Sequence, residues 1–244
     1  MTTAAASPLL DLPGACPPPE GSRDSGVAWH YGDPHGEQRL LQRGEGWVDL
    51  GHRGVVTVTG PDRLSWLHTL TTQHLEALVP GGSALALILS PHGHVEHELH
   101  LVDDGATTWI TVEPGEAPAL VAYLDRMRFL LRVEVADVSA DYAVVGEPVS
   151  TPVPDRPTYV SPREFGTRQA VDAASARYVP LRPDVWVARE VIVPRAELGG
   201  YVEGRRGAGT WAWKALRVAA GVPRLGFETD HRTIPQEVGW VPSA

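Results

Sequence analysis

At 244 residues and 26.3 kDa, with 43% hydrophobic and 21% charged residues, the chain has the make-up of a soluble globular protein of one large or two small domains. A net charge of −9 excludes duplex DNA and anionic lipid as main partners, since both are bound through a surplus of Lys and Arg. The single cysteine, Cys16, excludes a disulfide framework or a Cys-based structural metal site within the monomer.

Residues 1–44 are rich in Pro, Gly, Ser and Ala with little periodicity, and read as a poorly ordered extension in which Cys16 is a solvated thiol. Asp11 and Pro13 interrupt the only early apolar stretch, so no secretory signal is expected and the expected address is the cytoplasm. Folded signal begins at Trp47. Gly54 to Gly60 is β-branched and Gly-bounded, a strand. Pro61 then opens a helix to about Leu75, with Leu64, Leu67 and Leu70 on its apolar stripe and Trp66 alongside. Strands follow at 84–89, 94–102 and 107–112, joined by turns at Ser90–Gly93 and Asp103–Gly105. A helix over 116–130 precedes strands at 132–138 and 142–146. This order is that of an α+β domain with helices on one face of a mainly antiparallel sheet. The proline-rich stretch 148–162 reads as a linker or surface loop, followed by a strand at 184–193 and helices at 196–202 and 211–220.

Four histidines fall in the run His92 to His100. On a strand, alternation puts His94, Glu96, Glu98 and His100 on one face. Alternate strand positions stand about 7 Å apart, too far for His94 and His100 to share one ion, so this face is polar or pocket-lining rather than a metal site. Glu98, a carboxylate in mid-strand, suits binding an amino group or acting as a general base if it faces a cavity, and a solvated face if it does not. Dinucleotide-binding, P-loop and nucleophile-elbow patterns are absent from the sequence.

Two stretches carry a resemblance. Val48 to Val56 followed by Thr59 to Leu67 is similar to the opening of the glycine-cleavage T-protein superfamily, in its YgfZ branch. Arg217, Gly221, Pro223, Gly226, Glu228, Asp230, Pro235, Glu237 and Gly239 resemble that branch's closing loop signature, and the likeness covers roughly 45–240. It looks most like actinobacterial members. Helix termination and a turn explain Gly221, Pro223 and Gly226, but leave Arg217, Glu228, Asp230 and Glu237 unexplained.

The resemblance implies an α+β, T-protein-like folate-binding region. In it, 45–59 plus 147–244 form one subdomain and 60–146 a ferredoxin-like insertion, with the usual C-terminal barrel domain absent. It implies tetrahydrofolate as cofactor, with Glu98, Arg217, Glu237 and Trp66 as binding residues and Trp240 as a weaker candidate. In the catalytic members an Asp stands at the position of Glu98, so a carboxylate is kept but lengthened by one methylene. The branch's Lys-Gly-Cys-Tyr-x-Gly-Gln-Glu segment does not occur in this sequence. Three functions follow as expectations. The first is a non-catalytic folate-binding protein assisting iron–sulfur protein assembly or repair, with links to tRNA modification and with iron–sulfur proteins or assembly factors as partners. The second is an aminomethyltransferase-like one-carbon transferase with Glu98 catalytic. The third is an inert interaction module.

Overall fold

The computed structural model describes residues 6–161 and 187–240. Two five-stranded sheets form its frame. Helix α1 (Pro34–Gln42) leads into β1 (Trp47–Asp49) and β2 (Gly54–Thr59), then α2 (Arg63–Leu70). The chain continues through β3 (Ser83–Leu89), β4 (Val95–Asp103), β5 (Thr107–Val112), α3 (Ala117–Met127) and β6 (Glu134–Asp137). It returns through β7 (Tyr142–Glu147), β8 (Thr158–Val160), β9 (Arg189–Pro194), α4 (Leu198–Val202), β10 (Gly207–Ala208), α5 (Thr210–Ala219) and α6 (Pro235–Val238).

The first sheet has the order β10-β1-β7-β9-β8, with β1–β10 parallel and the other pairs antiparallel. Alternation along β7 buries Ala143 and Val145 on one face and Val144 on the other, so this sheet is covered on both sides. Helix α5 packs Ala212, Trp213 and Leu216 on one face, and α4 packs Leu198 and Val202 on the other. The second sheet runs β3-β4-β5-β2-β6, antiparallel throughout, with α2 and α3 on one face. It has a strand more than the βαββαβ plan of a ferredoxin-like unit.

The expected subdomain boundaries move. β2, placed with the first subdomain in the sequence reading, belongs to the second sheet, and the chain crosses between sheets at Leu50–Arg53 and Val138–Asp141. The helix expected to run to Leu75 stops at Leu70, because Thr71 is extended and the Thr72 N–H donates to the Leu87 carbonyl of the neighbouring strand. Leu75 is still buried, in the core over the second sheet.

The largest correction is at the start of the chain. The segment expected to be a poorly ordered extension instead packs. Leu9 is buried against the first sheet, and Asp33 caps α1 by accepting the Gly36 N–H, with Pro34 at the first helical position. Leu40 and Leu41 of α1 are buried, and Cys16 sits in a bridge to His30. Glu37 ties the segment down: it accepts from Tyr31 N–H and, 172 residues away in sequence, from Gly209 N–H at 2.8 Å. Short strand β8 lies within the stretch expected to be a linker or surface loop; part of the strand expected at 184–193 falls outside the described residues.

Candidate functional site: an ion-paired cleft between the sheets

A cleft opens where β4 of the second sheet faces β8, β9 and α5 of the first. Asp24 of the N-terminal segment and Val222 to Arg224 of the terminal loop complete its lining. Arg53 reaches it from the crossing between sheets.

The strand reading of β4 holds for part of its length. The register slips between Ile88 and Leu89, which pair with His97 and Val95, so Glu96 is an unmatched bulge residue and is exposed. Glu98 and His100 stay on the cleft face, while His94 does not line the cleft. His97 turns to the other side against Tyr123, where burial holds its imidazole below the ordinary value. Among the described residues, no group of three or more His, Cys, Asp or Glu side chains has the geometry to hold a metal ion.

Glu98 is 4% exposed and both its oxygens are engaged. Oε1 lies 3.3 Å from His100 Nε2, and Oε2 accepts the Leu225 N–H at 3.1 Å. His100 bridges onward through Nδ1 to Glu190 Oε1 at 3.0 Å and stacks on Tyr159, 4.4 Å between ring centres. Burial alone would lower the His100 pKa, but the Glu190 carboxylate overcomes it and pushes the pKa up to about 9. Glu190 also accepts from Arg53 Nη1 at 2.9 Å and Thr111 Oγ1 at 2.7 Å. Burial works to raise its pKa; Arg53 and His100 hold it well below the usual carboxylate range instead.

A second cluster adjoins the first. Arg224 donates to Glu113 at 2.5 Å and to Asp24 at 3.0 Å, and its guanidinium lies 4.0 Å from the Phe227 ring centre. Asp24, fully buried, also meets His52 Nε2 at 3.0 Å and Lys214 Nζ at 2.5 Å. Burial would raise the Asp24 pKa, yet His52, Arg224 and Lys214 hold it far below the ordinary carboxylate value. Each charge here has an opposite partner, which is the condition for burying it at all.

The sequence-predicted binding residues separate. Glu98 and Arg217 line the cleft. Arg217 makes a two-bonded pair with Glu228 at 2.9 and 3.0 Å and donates to the Val222 carbonyl, closing the terminal loop onto α5. Glu237 does not reach the cleft: its carboxylate accepts the Ile234 N–H and caps α6, beside a shallow surface depression. Trp66 is also elsewhere. It lies in the core over the second sheet, its indole N–H donating to the Met127 carbonyl. Trp240 is buried against Leu87 and Val95. Sequence reasoning missed Asp24, Arg53, Glu113, Glu190, Lys214 and Arg224 as site residues. Of these, Arg53 and Arg224 lie inside the two stretches that carried the resemblance, which was the available signal.

The cleft encloses about 40 Å³. That volume holds a few waters, at roughly 10–15 Å³ each, where sites for drug-sized ligands enclose about 300–1,000 Å³. Tetrahydrofolate therefore does not fit the described arrangement. His100 stacks on Tyr159 within the cleft, and the cleft carboxylates already have partners.

Together these features define a mixed α+β protein with two sheets closed around a charged, nearly filled cleft. No protein-family model matches the chain. It is 26% identical over 230 residues to the aminomethyltransferase of Bordetella petrii and 26% over 233 residues to that of Methylococcus capsulatus. Each match covers 86% of this chain and 61% of the relative, so the chain spans about three fifths of their length. A shorter match, 29% over 107 residues, is to the mitochondrial iron–sulfur cluster assembly factor IBA57 homologue of Mycosarcoma maydis, covering 38% of this chain and 27% of that one. In fold it matches the glycine cleavage system aminomethyltransferase T of Bartonella henselae with a TM-score of 0.73 at 16% identity, over 95% of this chain and 66% of that one. The chain is thus similar in sequence to aminomethyltransferases and shares the fold of one.

Proposed function

We propose that the chain is a non-catalytic accessory protein of iron–sulfur protein maintenance built on the aminomethyltransferase scaffold. Its partners are iron–sulfur proteins or their assembly factors, among them cluster-dependent tRNA-modifying enzymes. The observation that carries the non-catalytic part is the state of Glu98, whose two oxygens are held by His100 and the Leu225 N–H. A general base needs a lone pair within reach of the proton it removes. The iron–sulfur part is supported by the likeness to the Mycosarcoma maydis assembly factor homologue. Tetrahydrofolate enters this reading only as a ligand of an opened cleft, because the closed one has no room for it.

Aminomethyl transfer is the second reading, favoured by the longer match to two aminomethyltransferases. Incubating the protein with tetrahydrofolate and an aminomethyl-lipoyl donor separates the two. The first reading expects no methylene-tetrahydrofolate; its formation would establish the second. In cells lacking the gene, iron–sulfur enzyme activities are expected to fall and to be restored by both the wild type and Glu98→Gln. Unchanged activities on deletion would remove the maintenance role. Failure of a well-folded Glu98→Gln to restore them would make the carboxylate a chemical participant.

A further inference from the structure

From Leu10 to Gly26, Asp24 is the one buried residue. Its neighbours Arg23 and Ser25 are exposed, and glycines with positive φ stand on either side, Gly21 at 79° and Gly26 at 92°. A short turn is therefore anchored in the body of the protein by an aspartate, with Arg23 making a longer contact to the Leu225 carbonyl at 3.5 Å. The receiving donors come from three separate places: His52 from the crossing between sheets, Lys214 from α5 and Arg224 from the terminal loop. They are held in position by other contacts. Arg224 is fixed by Glu113 and Phe227, and Lys214 lies 4.8 Å from the Phe227 ring centre and 5.0 Å from that of Trp29.

We infer that His52, Lys214 and Arg224 form a carboxylate-binding site, that Asp24 fills it in cis, and that an external small-molecule carboxylate entering the site releases the turn that carries Asp24. Without Asp24, Lys214 has no carboxylate partner among the described residues and Arg224 keeps Glu113 alone. That leaves buried positive charge in excess, which an anion relieves. Two further buried donors in the same cleft, Arg53 Nε and Arg217 Nε, have no hydrogen-bond partner among the described residues and are available to a second polar group on the ligand. In the wild type an external carboxylate binds only to the fraction of molecules in which Asp24 has left. Its apparent affinity is lowered by that fraction, and removing the competitor restores it. The inference is independent of the iron–sulfur assignment.

The test uses acetate as probe, at constant ionic strength against chloride, with wild type, Asp24→Asn and Lys214→Met. Asp24→Asn keeps the shape of the side chain and removes the competing charge. Acetate is expected to speed tryptic cleavage after the exposed Arg23 in the wild type, saturably, where chloride does not. Asp24→Asn is expected to be cut faster without any addition, and to show an acetate-specific rise in melting temperature at about tenfold or more lower concentration than the wild-type response. Lys214→Met is expected to lose the acetate effect. Equal responses of the wild type to acetate and chloride would overturn the inference, as would an undiminished acetate effect in Lys214→Met.

Discussion

The N-terminal segment and the terminal loop close the same cleft, and they are held there in different ways. Apart from Arg224, Leu225 and Thr233, which reach Asp24, Glu113, Glu98 and Val95, the loop after α5 is stitched to itself. Arg217 pairs with Glu228, Asp230 accepts from Arg232 N–H and Thr233 Oγ, and Glu237 caps its own short helix. These contacts span at most 11 residues. The N-terminal segment is stitched to distant parts of the chain: Asp24 to Arg224 across 200 residues, Ala28 to Thr210 across 182, and Glu37 to Gly209 across 172. A loop that organises itself needs particular residues at fixed spacing. A segment organised by others needs only one or two anchors. The comparison predicts that damage to the loop stays local, while damage to the anchors spreads across the cleft.

The largest effect is expected where the two regions meet. Arg224→Ala removes a partner shared by two buried carboxylates, leaving Asp24 with His52 and Lys214 and Glu113 with Arg53 at 3.5 Å. Removing one partner of a buried ion pair costs about 3–5 kcal/mol, to be read as a fall in urea midpoint at unchanged slope. A loss below about 1 kcal/mol would mean that water or other groups already serve those carboxylates. Glu37→Ala comes next. It frees the Tyr31, Asp33 and Gly209 N–H groups from one carboxylate, and with water taking over the less buried of these donors the net loss is expected at about 2–3 kcal/mol. Faster proteolysis within residues 6–33 should accompany the loss, whereas the terminal loop should stay protected.

The third prediction concerns pH. His100 gains its proton's stabilisation from Glu190 and Glu98, with a folded pKa of about 9 against an ordinary 6.5. Its contribution is therefore fully present below pH 6.5 and is lost as pH rises through 9, a change on the order of 2–3 kcal/mol. Wild-type stability should fall between pH 7 and 9.5, and His100→Gln should flatten that fall. An equal slope in both would place the titrating group elsewhere. The smallest effect belongs to Glu237→Ala, which removes a helix cap on an exposed turn and should cost about 0.5–1 kcal/mol with no change in the cleft.

The contrast between the two regions also explains what the sequence made legible. The β-branched run at Gly54–Thr59 and the Leu-rich faces of α2 and α3 were readable because period and composition are local properties. The terminal loop was readable as a motif; of its members, Arg217 and Glu237, expected at the ligand, also hold the loop's own shape, Arg217 through Glu228. For Glu98 the sequence left a cavity face and a solvated face both open; it lines the cleft, and the bulge at Glu96 broke the alternation that had grouped it with His94. The order in residues 6–44 was not readable, since it depends on partners nearly the whole chain away. Composition there suggested disorder because few apolar side chains anchor it; Leu9, Val27, Ala28, Leu40 and Leu41 are enough when Asp24 and Glu37 add charged anchors.

Titrating the purified protein with tetrahydrofolate in a calorimeter, at pH 7 where His100 is protonated, bears most directly on the self-filled interior. Heats no larger than dilution, up to millimolar ligand, are the predicted outcome. A saturable isotherm in the micromolar range, with Trp213 fluorescence changing in step, would show that the cleft accepts the pterin and that its internal ion pairs give way to it.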